Sequence, residues 1–175
     1  LQVSGEPVRY QLTQEPHQLP WALVMDATPE APELPGRRLR MTPDLQWISN
    51  RPFSELVRFE ATSYPEFRHG PLQMTPALRA FTELPPGYNP RTLQLAADMR
   101  ADPALAGADT AALVNAAMLR LRAGGYTYTL EPGVSGQHSA DEFWFDTKAG
   151  FCEHIASAFV VLMRALDIPS RIVTG

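Results

Sequence analysis

Proline is spread so unevenly along this 175-residue chain that it divides it into two regimes: fourteen of the 17 prolines fall within the first 90 residues, and only Pro103, Pro132 and Pro169 come later. Proline has no N–H to donate and a fixed φ, so the first regime cannot supply long helices or carry prolines at central ladder positions. What remains between the prolines, glycines and asparagines are short alternating or β-rich stretches at 8–13, 21–25, 38–41 and 55–62. They predict a small antiparallel, sandwich-like β unit over residues 1–85, with its prolines in connections and on edges.

The second regime, residues 86–175, reads as helices first. Asn89 caps a helix with Pro90 at its first position, and 92–100 follows. Asp109 or Thr110 caps another, running to about Arg122. Leu113, Ala117 and Leu121 form its apolar stripe beside Val114 and Met118, and Gly124-Gly125 ends it. Residues 126–130 alternate as a strand, 132–138 form a Gly/Ser loop, and 141–146 are short and aromatic-rich. The expected class is α+β.

Charge and hydropathy narrow the function. A formal net charge of -4 offers no broad positive field, which argues against nucleic acid as a partner. No apolar run approaches the roughly 20 residues of a membrane helix, so no transmembrane segment is expected. The N-terminus, Leu1-Gln-Val-Ser, has neither an initiator Met nor a signal-peptide pattern, and the chain reads as an excised piece. Its single cysteine, Cys152, cannot form an internal disulfide; this is compatible with an oxidising compartment and leaves the location open.

Cys152 heads the most apolar helix of the chain. Ile155, Phe159, Leu162 and Leu166 form one stripe of it, and Ala156, Val160 and Met163 a second surface beside the first. A helix N-terminus carries unpaired N–H groups and a partial positive charge, which favour a thiolate in the first turn and can hold the oxyanion formed when a carbonyl is attacked. Ala149-Gly150 reads as a turn with little bulk, leaving room for that carbonyl. The competing reading is a free cysteine acting as a small apolar filler.

Gly150-Phe-Cys152-Glu-His-Ile-Ala156, followed by Phe159, Leu162, Arg164-Ala-Leu166, Ile168-Pro169-Ser-Arg171 and Val173-Thr-Gly175, resembles the core signature of the transglutaminase-like superfamily over about 35 residues. The Phe-Trp-Phe-Asp approach and the preceding β-rich region are further similar to the TgpA-type bacterial transglutaminases, which are membrane-anchored with this part facing the periplasm. The resemblance implies the N-terminal, helical part of a papain-like core whose sheet is incomplete, in a periplasmic or extracytoplasmic domain. It implies Cys152 as the nucleophile toward a glutamine carboxamide of a protein or peptide, resolved by an amine acceptor or water, with no cofactor and no metal. Trp144 matches an indole that the family often uses to help hold the oxyanion; aromatic core packing is its alternative role.

Two departures stand out. Asp167 replaces the usual Gly at a left-handed helix terminus, a conformation that Asp tolerates better than most residues. The family's His and Asp lie on strands after the Ile-Pro-x-Arg segment, so a further C-terminal portion is expected to supply them; without it, residues 171–175 would present an open, aggregation-prone edge. His154 is no substitute, because positions i and i+2 of a helix point about 200° apart. His17, His69 and His138 read as solvated surface residues, and Asp141, Glu142 and Asp146 as loop acids rather than a calcium site. A cysteine protease or peptide N-glycanase of the same fold, and a non-catalytic scaffold, are the alternative functions.

Overall fold

A computed structural model describes residues 1–71 and 73–173 and divides the chain into two compact units, Leu1–Leu72 and Gln73–Gly175.

The first unit holds strands β1 (Gln2–Ser4), β2 (Val8–Gln14), β3 (Trp21–Ala22), β4 (Leu39–Met41), β5 (Trp47–Ser49), β6 (Val57–Ser63) and β7 (Glu66–Arg68). Every pairing in it is antiparallel: β2 lies on β6 from Val8↔Ser63 to Gln14↔Val57, β1 on β7, and β5 sits between β3 and β4. The period-2 pattern of β6 buries Phe59, Ala61 and Ser63 while Arg58 and Glu60 face out. Phe59 then shares one core with Ala22, Leu34, Trp47 and Phe53, so the ladder and the three-stranded sheet cover each other's apolar faces.

The strand expected over 21–25 stops at Ala22 for a specific reason. Buried Gln14 takes the place of a neighbouring strand, its Nε2 donating to Trp21 O (2.9 Å) and its Oε1 accepting from Leu23 N (2.8 Å). Met25 N donates to the Tyr10 hydroxyl (2.9 Å). The backbone is satisfied by side chains, which no ladder pattern foretells.

The second unit begins earlier than residue 86. Helix α1 (Pro76–Arg79), capped by Thr75 Oγ1 on Leu78 N, runs into a 3₁₀ turn at Ala80–Thr82. This segment is held to the far end of the unit: Ser170 N donates to Phe81 O (3.1 Å), and an Arg164 guanidinium N–H to Glu83 O (3.1 Å). These long-range bonds tie residues 81–83 into the second of the two compact units, Gln73–Gly175.

Helices α2 (Pro90–Ala101) and α3 (Thr110–Ala123) follow, then β8 (Thr127–Tyr128), α4 (Ser139–Asp141) continuing into a π-helical turn at Glu142–Thr147, β9 (Ala149–Gly150) and α5 (Cys152–Ala165). Asp109 caps α3 as expected, accepting from Ala112 N (2.8 Å), and the chain leaves that helix at Gly124. The strand expected over 126–130 contracts to two residues paired in parallel with β9. Leu113, Ala117, Phe143, Trp144, Ala158, Leu162 and Leu166 are among the buried residues of this unit's core. Arg171, Ile172 and Val173 form no strand; the end of the expected open edge, Thr174 and Gly175, lies outside the described residues.

The cap of α2 departs from expectation. Asn89 adopts a left-handed conformation (φ 51°) and makes no side-chain bond to its own helix. Its Oδ1 instead accepts from Ala140 N (3.0 Å) at the start of α4, while Asp141 reaches back to accept from Thr92 N (2.7 Å), Thr92 Oγ1 (2.6 Å) and Arg91 N (3.0 Å). The two segments cap each other across about 50 positions of sequence.

The end of α5 follows the sequence reading closely. Asp167 has φ 57°, Asp167 N donates to Arg164 O (2.9 Å) and Ile168 N to Met163 O (2.9 Å), and Met163 and Ile168 are both buried. This is a Schellman motif with Asp at the position that favours glycine. Asp167→Gly is expected to stabilise the protein by roughly 0.5–1 kcal/mol, from relief of left-handed strain and loss of a negative charge at the helix C-terminus, partly offset by unfolded-state entropy. A rise in the denaturation midpoint with an unchanged slope would register it.

Candidate active site

The Cys152 thiol is exposed at the first residue of α5. Phe151 precedes it in extended backbone (φ -101°, ψ -175°) and makes no side-chain cap, so no side chain covers the N–H groups of the first turn. They remain for water or for an oxygen bearing developing charge. The helix behind them is anchored through Ala158, Leu162, Met163 and Leu166, all buried, and an Arg100 guanidinium N–H donates to the Leu166 carbonyl. A fixed helix thus presents a free sulfur beside unspent donors.

Gly150 has a different use from the one expected. It lies not in a turn but in β9, buried, with Thr127 N donating to Lys148 O (2.8 Å) and Thr129 N to Gly150 O (3.0 Å) on either side of the bridge. A Cβ at residue 150 would stand 2.6 Å from His154 Cβ and 3.1 Å from its Cγ. The missing side chain makes room for His154, whose ring packs edge-on against Phe151 with centroids 4.4 Å apart. Gly150→Ala must therefore push the first turn of α5 away from β9. An overpacking cost of about 1–3 kcal/mol is expected, with slower alkylation or turnover at Cys152, read by thermal melting and a thiol-reactivity assay together.

Trp144 is a core residue in this structure. It is fully buried, its Nε1–H donates to Ala158 O (3.0 Å) in the middle of α5, and its ring meets Tyr126 and Phe143 edge-to-face at 5.5 and 5.6 Å. Tyr126 stacks on Phe143 at 5.2 Å and donates its hydroxyl to Trp144 O (3.0 Å). The indole N–H suggested for the oxyanion is already bonded to the helix carbonyl. Its placement is that of a packing residue, with Trp144 holding the middle of α5 to the core.

The other histidines are structural rather than merely solvated. His17 bonds Gln14 Nε2 (2.7 Å) and accepts from Leu19 N (3.2 Å); His69 Nε2 lies 2.6 Å from Pro43 O; His138 Nδ1 accepts from Asn89 N (3.1 Å). His154 Nδ1 is buried without a partner, and among the described residues no imidazole or carboxylate is hydrogen-bonded to Cys152. The acids of the aromatic stretch are engaged too. Asp141 is a buried cap, Glu142 accepts from Gly136 N (2.8 Å), and Asp146 pairs with Arg91 at 2.9 Å under the Arg91–Phe145 cation–π contact. Asp141 is the residue sequence reasoning missed; a capping carboxylate 49 positions away from its partner leaves no local signal.

Residues 98–175 match the family model of the transglutaminase-like superfamily. The chain is 30% identical over 175 residues to the protein-glutamine gamma-glutamyltransferase of Pseudomonas aeruginosa, covering 99% of this chain and 25% of that protein. It is 51% identical over 35 residues to the uncharacterised protein YebA of Bacillus subtilis, 20% of this chain and 5% of that one. The chain therefore spans a quarter or less of the curated relatives it matches. Its fold is similar to part of the periplasmic domain of TgpA from Pseudomonas aeruginosa. The ethylmercury-bound crystal structure superposes with a TM-score of 0.80 at 30% identity, covering 96% of this chain and 58% of that one; a second structure gives 0.79, covering 56% of that chain.

Proposed function

We propose, starting from the match of residues 98–175 to the transglutaminase-like superfamily, that Cys152 is the nucleophile of a protein-glutamine acyl transfer. The sulfur attacks the side-chain carboxamide carbon, the carbonyl oxygen takes the charge, and ammonia leaves with a proton to give a thioester. A primary amine or water then attacks that carbonyl, releasing the product and returning the thiol. The uncapped N–H groups at the head of α5 are suited to the two oxyanions. The base that handles the protons and the carboxylate that orients it are a His and an Asp of a further segment of the protein.

The observation that carries this reading is an exposed thiol at the first residue of a well-anchored helix, inside the segment that matches the family. The likeness to the TgpA periplasmic domain supports an extracytoplasmic site of action; among the described residues no helix is long and apolar enough to cross a membrane. Incubating the intact protein with a glutamine-containing peptide and a labelled amine tests the chemistry. Ammonia release together with label on the peptide is expected. New peptide termini in place of label would move the assignment to proteolysis.

A further inference from the structure

We propose that Leu130, with Tyr128 beside it, forms the subsite that receives an apolar residue next to the reactive glutamine of the acyl donor, an inference that rests on Cys152 being the nucleophile. Strand β8 pairs in parallel with β9, Thr127 opposite Ala149 and Tyr128 opposite Gly150. Thr129 N then donates to Gly150 O (3.0 Å), which carries the pairing one residue further. Strand β9 leads through Phe151, still extended at φ -101° and ψ -175°, directly into Cys152. The same count sets Leu130 level with Cys152, and paired strands lie only about 4.8 Å apart.

The side chains at this edge are large, apolar and open. Leu130 is 76% exposed and Tyr128 62%, whereas Leu113, Leu162 and Leu166 fill the core of the same unit. They stand two positions apart, the spacing that puts side chains on one face of an extended chain. Unlike an exposed polar group, which water satisfies, an exposed leucine gains free energy from whatever apolar surface covers it. The backbone that carries the pair is held in place. The Tyr126 hydroxyl donates to Trp144 O (3.0 Å), Thr129 N to Gly150 O, and Glu131 N to Thr129 Oγ1 (3.1 Å). Covering these side chains does not require ordering the segment first.

The occupant follows from the reaction. A glutamine whose carboxamide carbon reaches the sulfur brings its own backbone, and the residues on either side of it, over the groups that border Cys152. Leu130 is such a group, and its methyls suit an aliphatic or aromatic neighbour of the glutamine. Glu131 and Glu153, both exposed and next in the chain to Leu130 and Cys152, set a local negative field that disfavours an acidic neighbour. Acyl donors with leucine beside the glutamine are therefore preferred over those with serine, and glutamate there is the least favoured.

Two glutamine peptides that differ only in that neighbour, leucine or serine, are compared with the intact protein for ammonia release, and with its Cys152→Ala variant for binding. The leucine peptide is expected to bind more tightly and to show a kcat/KM about five- to tenfold higher, the order expected for partly burying a leucine. Leu130→Ser is expected to erase the difference by lowering the leucine peptide to the serine level. Leu56→Ser, which removes a 62% exposed leucine of the first unit, preserves it. Equal handling of the two peptides by the parent protein, a preference that survives Leu130→Ser, or one lost equally in Leu56→Ser overturns the subsite. Ammonia released from both peptides at one rate does so while sparing the nucleophile assignment. Leucine-selective, Leu130-dependent binding in a protein whose native thiol form releases no ammonia would sink that assignment and leave the apolar subsite standing as a binding site.

Discussion

Cys152→Ala is expected to lower ammonia release from a glutamine peptide by about 10³-fold or more while leaving the melting curve in place. The two halves of that result have separate causes. Removing the sulfur removes the covalent route, and a nucleophile that acts as one unit with its base takes the whole of that route with it. The side chain is exposed and unbonded, so its loss costs the fold no more than about 0.5 kcal/mol. Cys152→Ser should also be close to inactive, since serine needs its base far more than a cysteine does. Ammonia release within tenfold of the parent protein in both variants would remove Cys152 from the mechanism. A loss of activity with a collapsed melting transition would have to be attributed to folding instead, which the exposure of the thiol argues against.

The second large effect is on stability. Asp141→Ala is expected to cost about 3–4 kcal/mol, from two buried donors left without acceptors and a lost helix cap. Asp141 is 3% exposed and Thr92 fully buried, so water cannot replace the bonds to Thr92 N and Oγ1 without opening the unit. Against a typical total of 5–15 kcal/mol this is a severe loss. Asp141→Asn, which can keep the Oδ1 acceptor, should recover about half of it. Combining Asp141→Ala with Thr92→Val tests the pairing: the double variant should be less destabilised than the sum of the singles. Strict additivity in denaturant unfolding would show that the reciprocal cap contributes little.

Elements whose cause is local were legible. Helix α3 carries its own start at Asp109 and its own stop at Gly124, and β2 and β6 carry their period of two. The apolar stripes of α5 and the left-handed Asp167 that ends it follow from residues within a turn or two of each other. The exposed thiol at a helix head was readable for the same reason. The family signature, a run of spaced residues, needs no tertiary information either.

What escaped has its cause at a distance. The helical segment at 76–82 earns its place through Arg164 and Ser170, the strand at 21–25 ends because Gln14 arrives from another strand, and Asn89 and Asp141 exchange caps across a loop. Gly150 reads as clearance for substrate until His154 is seen beside it, and Trp144 is open to two roles, core packing or oxyanion donor, until its N–H is found on Ala158. A single N–H or a single missing methyl can serve only one neighbour, and a one-dimensional pattern names the candidates without ranking them. By itself the sequence determined the locally caused elements, α2, α3, α5 and the β2–β6 ladder, and the placing of the single thiol at a helix head. Only the packed chain decided which polar groups were already spent on a neighbour, because that depends on residues far apart in sequence.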